Sequence, residues 1–292
     1  MRCACIDIGT NTTRLLVAEA GPAGLREVVG VRRFLRLASG PDGAIGEASI
    51  ARVCGVVADH VREARAHGAQ SIRVVATAAI RDAPDGTALC GAVRAGAGVE
   101  VEVLSGEQEA ALAFAGATGT LGAAAPEGLL GVADVGGGSS ELVTGTVAGG
   151  VTWWASLALG SGLLADRHLR SDPPTSAELD AVRDEVAGAL AGIDAPRPRA
   201  AFAVGGGATS LVRVAGRELT PQAIHRALEL LSREPAAQAA RRLGVHAQRA
   251  RLLPAGLLLL AGAWEAFGGV PLRISGGGLR EGVVLQSLAR DS

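Results

Sequence analysis

Asp134 closes an apolar stretch, Gly131–Asp134, and is followed by Gly136-Gly137-Gly138-Ser139-Ser140 and then by Glu141. Glycines in such a turn let backbone N–H groups close on an anion that any Cβ would hold away, and the two hydroxyls add donors. A carboxylate delivered at a strand end can hold a hydrated Mg²⁺ that accompanies phosphate. The same residues also read as a β-hairpin with a glycine-rich turn, because one such turn alone is a weak signal.

An earlier copy strengthens the phosphate reading. Asp7–Val17, DIGTNTTRLLV, lies over Asp134–Thr144, DVGGGSSELVT, at an offset of 127 residues, from Asp7 to Asp134. Gly9 meets Gly136, Thr12-Thr13 meets Ser139-Ser140, and Leu15 meets Leu142. Each copy follows an apolar strand and runs into another. A repeat of this kind marks a duplicated supersecondary unit. Two phosphate-gripping hairpins from two related halves describe an actin-like phosphotransfer architecture, with the turns facing across a cleft.

The elements that must position these turns follow from periodicity. Strands are predicted at Arg2–Asp7, Arg14–Glu19, Leu25–Phe34, Ser71–Ala76 and Val99–Leu104, with a hairpin turn at Gly21–Gly24 and a loop over Leu35–Gly46. Helices are predicted at Ser49–His67 and Leu89–Ala97. Ser105 opens another, Gly106–Ala115, with Gln108 placed for a capping box. After the Gly/Ala/Pro stretch Gly119–Gly128 come strands at Gly131–Asp134, Glu141–Thr144, Val151–Ala158, Ala200–Val204 and Val270–Ser275. Helices are expected at Gly160–Leu169, Ser176–Leu190, Pro221–Leu231, Ala236–Leu243, Arg249–Leu253, Gly256–Phe267 and Leu279–Leu288. Two further glycine-rich turns, Gly205–Ser210 and Ser275–Gly278, would join the first two beyond strand ends. The domains are expected at 1–122 and 123–292, in an α/β fold.

Composition narrows the class. The 292 residues are 48% hydrophobic and 20% charged, with a net charge of −1, which supplies buried cores but no basic field for nucleic acid. All 28 basic residues are Arg, so a Walker A loop, which needs Lys, is excluded. Cys3, Cys5, Cys54 and Cys90 have no metal-ligand spacing and read as core residues of a reducing cytoplasm. Met1 leads straight into the first strand, so no signal peptide is expected. The run Leu252–Ala263 contains Pro254 and is too short to span a bilayer.

The chain resembles the exopolyphosphatase and guanosine pentaphosphate phosphohydrolase (Ppx/GppA) family of the actin-like ATPase superfamily. The resemblance rests on DIGTNTTRLLV, VVATAAIRDA (Val74–Ala83), VLSGEQEAALAF (Val103–Phe114), ADVGGGSSELV (Ala133–Val143), SDPP (Ser171–Pro174) and LREG (Leu279–Gly282). It implies two actin-like, ribonuclease H-like (ASKHA) domains with an interdomain active-site cleft, in the short two-domain form. Matched by position, Glu109 is the expected catalytic residue that deprotonates the attacking water. The alternative is a first-turn Glu favoured by the helix dipole. Asp7, Asp134 and Glu141 are the expected surroundings of a Mg²⁺ cofactor. Gly9, Thr10, Asn11, Thr12, Arg81, Gly136, Gly137, Gly138, Ser139 and Ser140 are the expected phosphate-binding residues, and Arg14 and Arg36 are further basic candidates.

The chain departs from the family pattern at Gly276, where an Asp is common, at Gly162–Ala165, in the loop at Gly205–Ser210, and at Ala38. The implied activity is Mg²⁺-dependent release of terminal phosphate from inorganic polyphosphate. With 2% aromatic residues and no Tyr, little is available to stack a guanine, which favours polyphosphate over pppGpp. A pppGpp 5′-phosphohydrolase and a non-hydrolytic polyphosphate or (p)ppGpp sensor are the alternatives. No nucleic-acid or membrane partner is expected, and a homodimer is a family-level expectation.

Overall fold

The computed structural model describes residues 1–21, 24–37, 42–121 and 125–290. Part of the expected turn at 21–24, part of the loop at 35–46 including Ala38, and the expected domain boundary at 122/123 lie outside them. The chain divides into two compact units, Met1–Ala125 with Gly277–Ser292, and Pro126–Gly276.

In the first unit, β1 (Arg2–Ile8), β2 (Thr12–Gly21) and β3 (Gly24–Phe34) form an antiparallel meander. Then follow α1 (Glu47–Ala66), β4 (Ser71–Ala76), α2 (Ala78–Arg81), α3 (Gly86–Ala97), β5 (Val101–Val103) and α4 (Gly106–Gly119). β4 and β5 add in parallel, giving the order β3-β2-β1-β4-β5. Alternation along β1 sorts its side chains between two cores. Ala4, Ile6 and Ile8 pack with Val53, Val57 and Val93 of α1 and α3. Cys3 and Cys5 do share a face, and pack with Leu112 of α4 and with Val283 and Val284.

The second unit repeats the plan. β6 (Leu130–Val135), β7 (Ser140–Thr146) and β8 (Gly150–Leu157) form the meander. Beyond it lie α5 (Ser161–His168), α6 (Ser176–Leu190), β9 (Ala200–Val204), α7 (Gly205–Ala215), β10 (Glu218–Leu219), α8 (Pro221–Leu231), α9 (Ala236–Leu243), α10 (Ala247–Ala266) and β11 (Leu272–Ile274). The sheet order is β8-β7-β6-β9-β11-β10. Its first five strands match the first unit's order, so each unit is an actin-like α/β domain.

α2 and β10 were not expected, and three further differences bear on the packing. Residues 249–253 and 256–267 belong to one helix, α10, that continues through Pro254. The hydrogen bond a proline removes is outweighed there by burial, since Leu252–Leu260 is buried throughout. Gly205–Ser210 is the start of α7 rather than a turn. The closing helix α11 (Leu279–Arg290) packs in the first unit and not in the second half, as the expected division 123–292 would have it. Glycine permits its close approach to α4: a β-carbon at Gly116 would sit 1.8 Å from the Gly278 carbonyl oxygen, and one at Gly282 would sit 2.0 Å from that of Leu112.

Candidate active site

The two predicted turns have the same backbone. The Gly9 N–H donates to the Thr12 carbonyl at 3.1 Å, and the Gly136 N–H donates to the Ser139 carbonyl at 3.0 Å. In the first turn, the carbonyls of Thr10 and Asn11 accept from Leu37 and from Leu35 and Arg36. In the second, those of Gly136 and Gly137 accept from Ser161, Gly162 and Leu163 at the head of α5. A trans peptide sets its N–H opposite its C=O. The N–H groups of Asn11 and Thr12, and of Gly137 and Gly138, therefore face away from those partners, as an anion-holding nest requires.

Side chains add to the turns unequally. Asn11 Nδ2 is buried without a hydrogen-bond partner among the described residues, a donor that an incoming acceptor would satisfy. Thr12 and Ser139 are buried at matching positions. Ser140 differs from its expected role: its hydroxyl donates to the Leu159 carbonyl at 2.7 Å, so its one proton is already committed to holding the chain that leads to α5.

The carboxylates diverge between the copies. Across β1 and β2, Asp7 stands opposite Arg14, with Arg14 Nε 3.5 Å from Asp7 Oδ2. Across β6 and β7, Asp134 stands opposite Glu141. The same position carries a cation in one unit and a second carboxylate in the other. Glu141 is buried and accepts from Ser156 Oγ at 3.0 Å. Gly205, at φ +90°, leaves room for Asp134: a β-carbon there would come within 2.5 Å of Asp134 Oδ1.

Among the described residues, no three His, Cys, Asp or Glu side chains form a metal cage. Two hard carboxylates side by side nevertheless fit Mg²⁺, which binds through one or two carboxylates and keeps waters and phosphate oxygens as its other ligands. The fit is to Asp134 and Glu141. Asp7, the third expected ligand, belongs to the other unit and is engaged with Arg14.

Glu109 lies in the first turn of α4, whose start is fixed by the capping box between Ser105 and Gln108. It is 3% exposed and accepts from Arg81 Nη1. The same Nη1 donates to the Leu104 carbonyl at 2.8 Å, and Arg81 Nε lies 3.3 Å from Asp82 Oδ1. Burial by itself would lower the Arg81 pKa, but the hydrogen bond and charge of Glu109, with Asp82, outweigh it and raise the value. The structure thus brings together two residues that the sequence supplied from separate motifs.

Sequence reasoning missed Arg32. It pairs across β2 and β3 with Arg14, on the sheet face that bears Asp7. Arg32 is exposed as a residue, but partial desolvation of its guanidinium, and then the positive charges of Arg14 and Arg280, push its pKa down to about 10. Guanidiniums drawn together in this way favour an anion among them. The signal was the period-2 spacing along β3 combined with the pairing register, and the register is invisible without the fold.

A duplicated actin-like fold whose turns aim N–H groups outward, with a buried acid at a helix head, defines the class. The chain belongs to the Ppx/GppA phosphatase family, whose model matches residues 16–291. Exopolyphosphatase 1 of Mycobacterium tuberculosis is 30% identical over 307 residues, covering 99% of this chain and 88% of that protein. The crystal structure of the Aquifex aeolicus Ppx/GppA family member superposes with a TM-score of 0.83 at 27% identity, covering 100% of this chain and 99% of that one. An exopolyphosphatase from Cytophaga hutchinsonii has a TM-score of 0.87 over 99% of this chain and 98% of its own, and at 21% identity speaks for the fold alone.

Proposed function

We propose that this phosphatase-family chain is an exopolyphosphatase of the cytoplasm that releases terminal phosphate from inorganic polyphosphate with Mg²⁺ as cofactor. The observation that carries the reading is Glu109, a buried carboxylate held by Arg81 at the head of α4. Such a group can take a proton from water as the water oxygen bonds to phosphorus and the bridging P–O bond breaks. In the first unit Asn11, Thr12 and the outward N–H groups of their turn suit phosphate oxygens, and in the second so do Ser139 and the outward N–H groups of its turn. Arg81 holds the acid while part of its side chain stays exposed, and a guanidinium suits a carboxylate or a phosphate. Asp134 and Glu141 hold the Mg²⁺, which when bound neutralises charge on the phosphates.

Polyphosphate is preferred to pppGpp because Arg14, Arg32 and Arg280 offer guanidiniums to a polyanion, while Tyr is absent from the chain.

The test is phosphate release from long-chain polyphosphate and from pppGpp, with Mg²⁺, by the wild type and by Glu109→Gln. Release from polyphosphate that collapses in the variant while binding persists supports the reading. Release from pppGpp alone moves the substrate. Binding without release from either makes the chain a sensor.

A further inference from the structure

A row of successive N–H groups holds the back of each glycine-led turn. In the second unit the row belongs to Ser161, Gly162 and Leu163, which reach the Gly136 and Gly137 carbonyls. These residues open α5. The first N–H groups of a helix have no partner within it and point the same way, so a helix head supplies such a row without distortion.

In the first unit the row comes from the end of a strand instead. Leu35, Arg36 and Leu37 follow directly on β3. The N–H groups of Leu35 and Arg36 both donate to the Asn11 carbonyl at 3.2 Å, and that of Leu37 donates to the Thr10 carbonyl at 2.8 Å. Along an extended strand successive N–H groups point to opposite edges, so a strand that ran on unbent could not turn all three onto one neighbour. Arg36 removes the conflict. Its φ is +39°, and it is the one non-glycine residue with a left-handed φ among the described residues. L-residues adopt that region at a cost, and such strain persists where surrounding contacts require it, often beside a ligand.

We propose that Arg36 is a positioning residue that serves the first turn through its backbone. The left-handed bend brings the three N–H groups onto the carbonyls of Thr10 and Asn11. With those carbonyls held, the N–H groups of Asn11 and Thr12 are fixed facing the other way, toward an anion. The inference rests on the reading of this turn as a phosphate holder. It gives Arg36 a role that its guanidinium does not carry, whereas the sequence alone suggested a basic side chain.

The experiment is steady-state phosphate release from polyphosphate by the full chain, for the wild type and for Arg36→Gly, Arg36→Asn, Arg36→Ala, Arg36→Val and Arg36→Thr. Circular dichroism confirms that each variant folds. All five lack the guanidinium, and they differ in how they accept the bend. Gly and Asn adopt a left-handed backbone readily, Ala meets the same cost as Arg, and β-branched Val and Thr resist it most. KM is expected to stay within about threefold of the wild type for Gly, Asn and Ala, and to rise roughly tenfold for Val and Thr, with kcat little changed. Either β-branched variant suffices where the other fails to fold. A comparable rise in the Gly, Asn and Ala variants overturns the proposal, because the guanidinium is then the binding group. So do Val and Thr variants that match the wild type. A wild type that releases no phosphate sinks the proposed function and not this inference, and the same order among the variants is then read by calorimetric titration with inorganic phosphate.

Discussion

Arg81 donates a hydrogen bond to Glu109 from 28 residues earlier in the chain, joining the end of one short helix to the head of a longer one. The pair is buried on the Glu side and partly open on the Arg side, with side-chain exposures of 4% and 28%. The acid is thereby fixed in place while its partner remains reachable. Replacing Glu109 with Gln keeps the shape and removes the base, so phosphate release is expected to fall about 10²–10⁴-fold with little change in KM. Arg81→Ala is expected to raise KM as well as lower kcat, because it removes both a phosphate partner and the group that positions Glu109. Steady-state kinetics on polyphosphate separates the two patterns.

The opposed carboxylates of Asp134 and Glu141 predict a specific metal response. Glu141→Gln should shift the Mg²⁺ titration of phosphate release to at least tenfold higher concentration, and a chelator should abolish release by the wild type. Asp7→Asn is expected to leave the Mg²⁺ midpoint nearer its original value, since Asp7 faces Arg14. Equal shifts in the two variants would place Asp7 in the metal's ligand set after all.

The two hydroxyls that follow the second turn should behave differently. Ser139→Ala is expected to raise KM for polyphosphate. Ser140→Ala removes the bond to the Leu159 carbonyl and should cost about 1 kcal/mol of stability in urea unfolding, with KM unchanged.

Close backbone contact between α4 and α11 makes Gly116 intolerant of a side chain. Gly116→Ala places a methyl group 1.8 Å from the Gly278 carbonyl, so the helices must separate or α11 must shift. The expected loss is about 1–3 kcal/mol, read by denaturant unfolding.

His60 sets an acid limit to stability. Burial, the largest cause, pushes its pKa below the usual histidine value, against a raising hydrogen bond to the Thr13 backbone. The unfolded chain therefore takes up a proton at a pH where the folded chain does not. Stability is unaffected above the unfolded value of about 6.5 and falls as pH drops below it, until the folded value is reached. Tm measured from pH 8 to pH 5 should decline over the acid part of that range, and His60→Gln should flatten the decline.

Much of this arrangement was legible in the sequence because it is local. The repeat of Asp7–Val17 in Asp134–Thr144 foretold two related halves, and the structure returns the same turn hydrogen bond in both. The capping box at Ser105 likewise announced the helix that carries Glu109. What escaped was set by tertiary context. Three successive glycines read as a turn at 205–207, yet they start α7, where Gly205 makes room for Asp134. Pro254 read as a break, but a helix whose middle, Leu252–Leu260, is buried throughout carries it. The return of α11 to the first unit and the pairing of Arg14 with Arg32 depend on contacts between distant segments, which periodicity does not encode.

The position held by Arg14 in one hairpin and by Glu141 in the other behaves as a polarity selector on an unchanged frame. The turn's hydrogen bond and the strand register are shared, and the side chain opposite the aspartate carries opposite charge in the two copies. A duplicated ancestor could thus divide its labour by a single substitution in one copy, giving one loop a taste for anions and the other for cations. The same logic makes the hairpin a reusable cassette, in which the residue opposite the aspartate sets the charge that each copy presents.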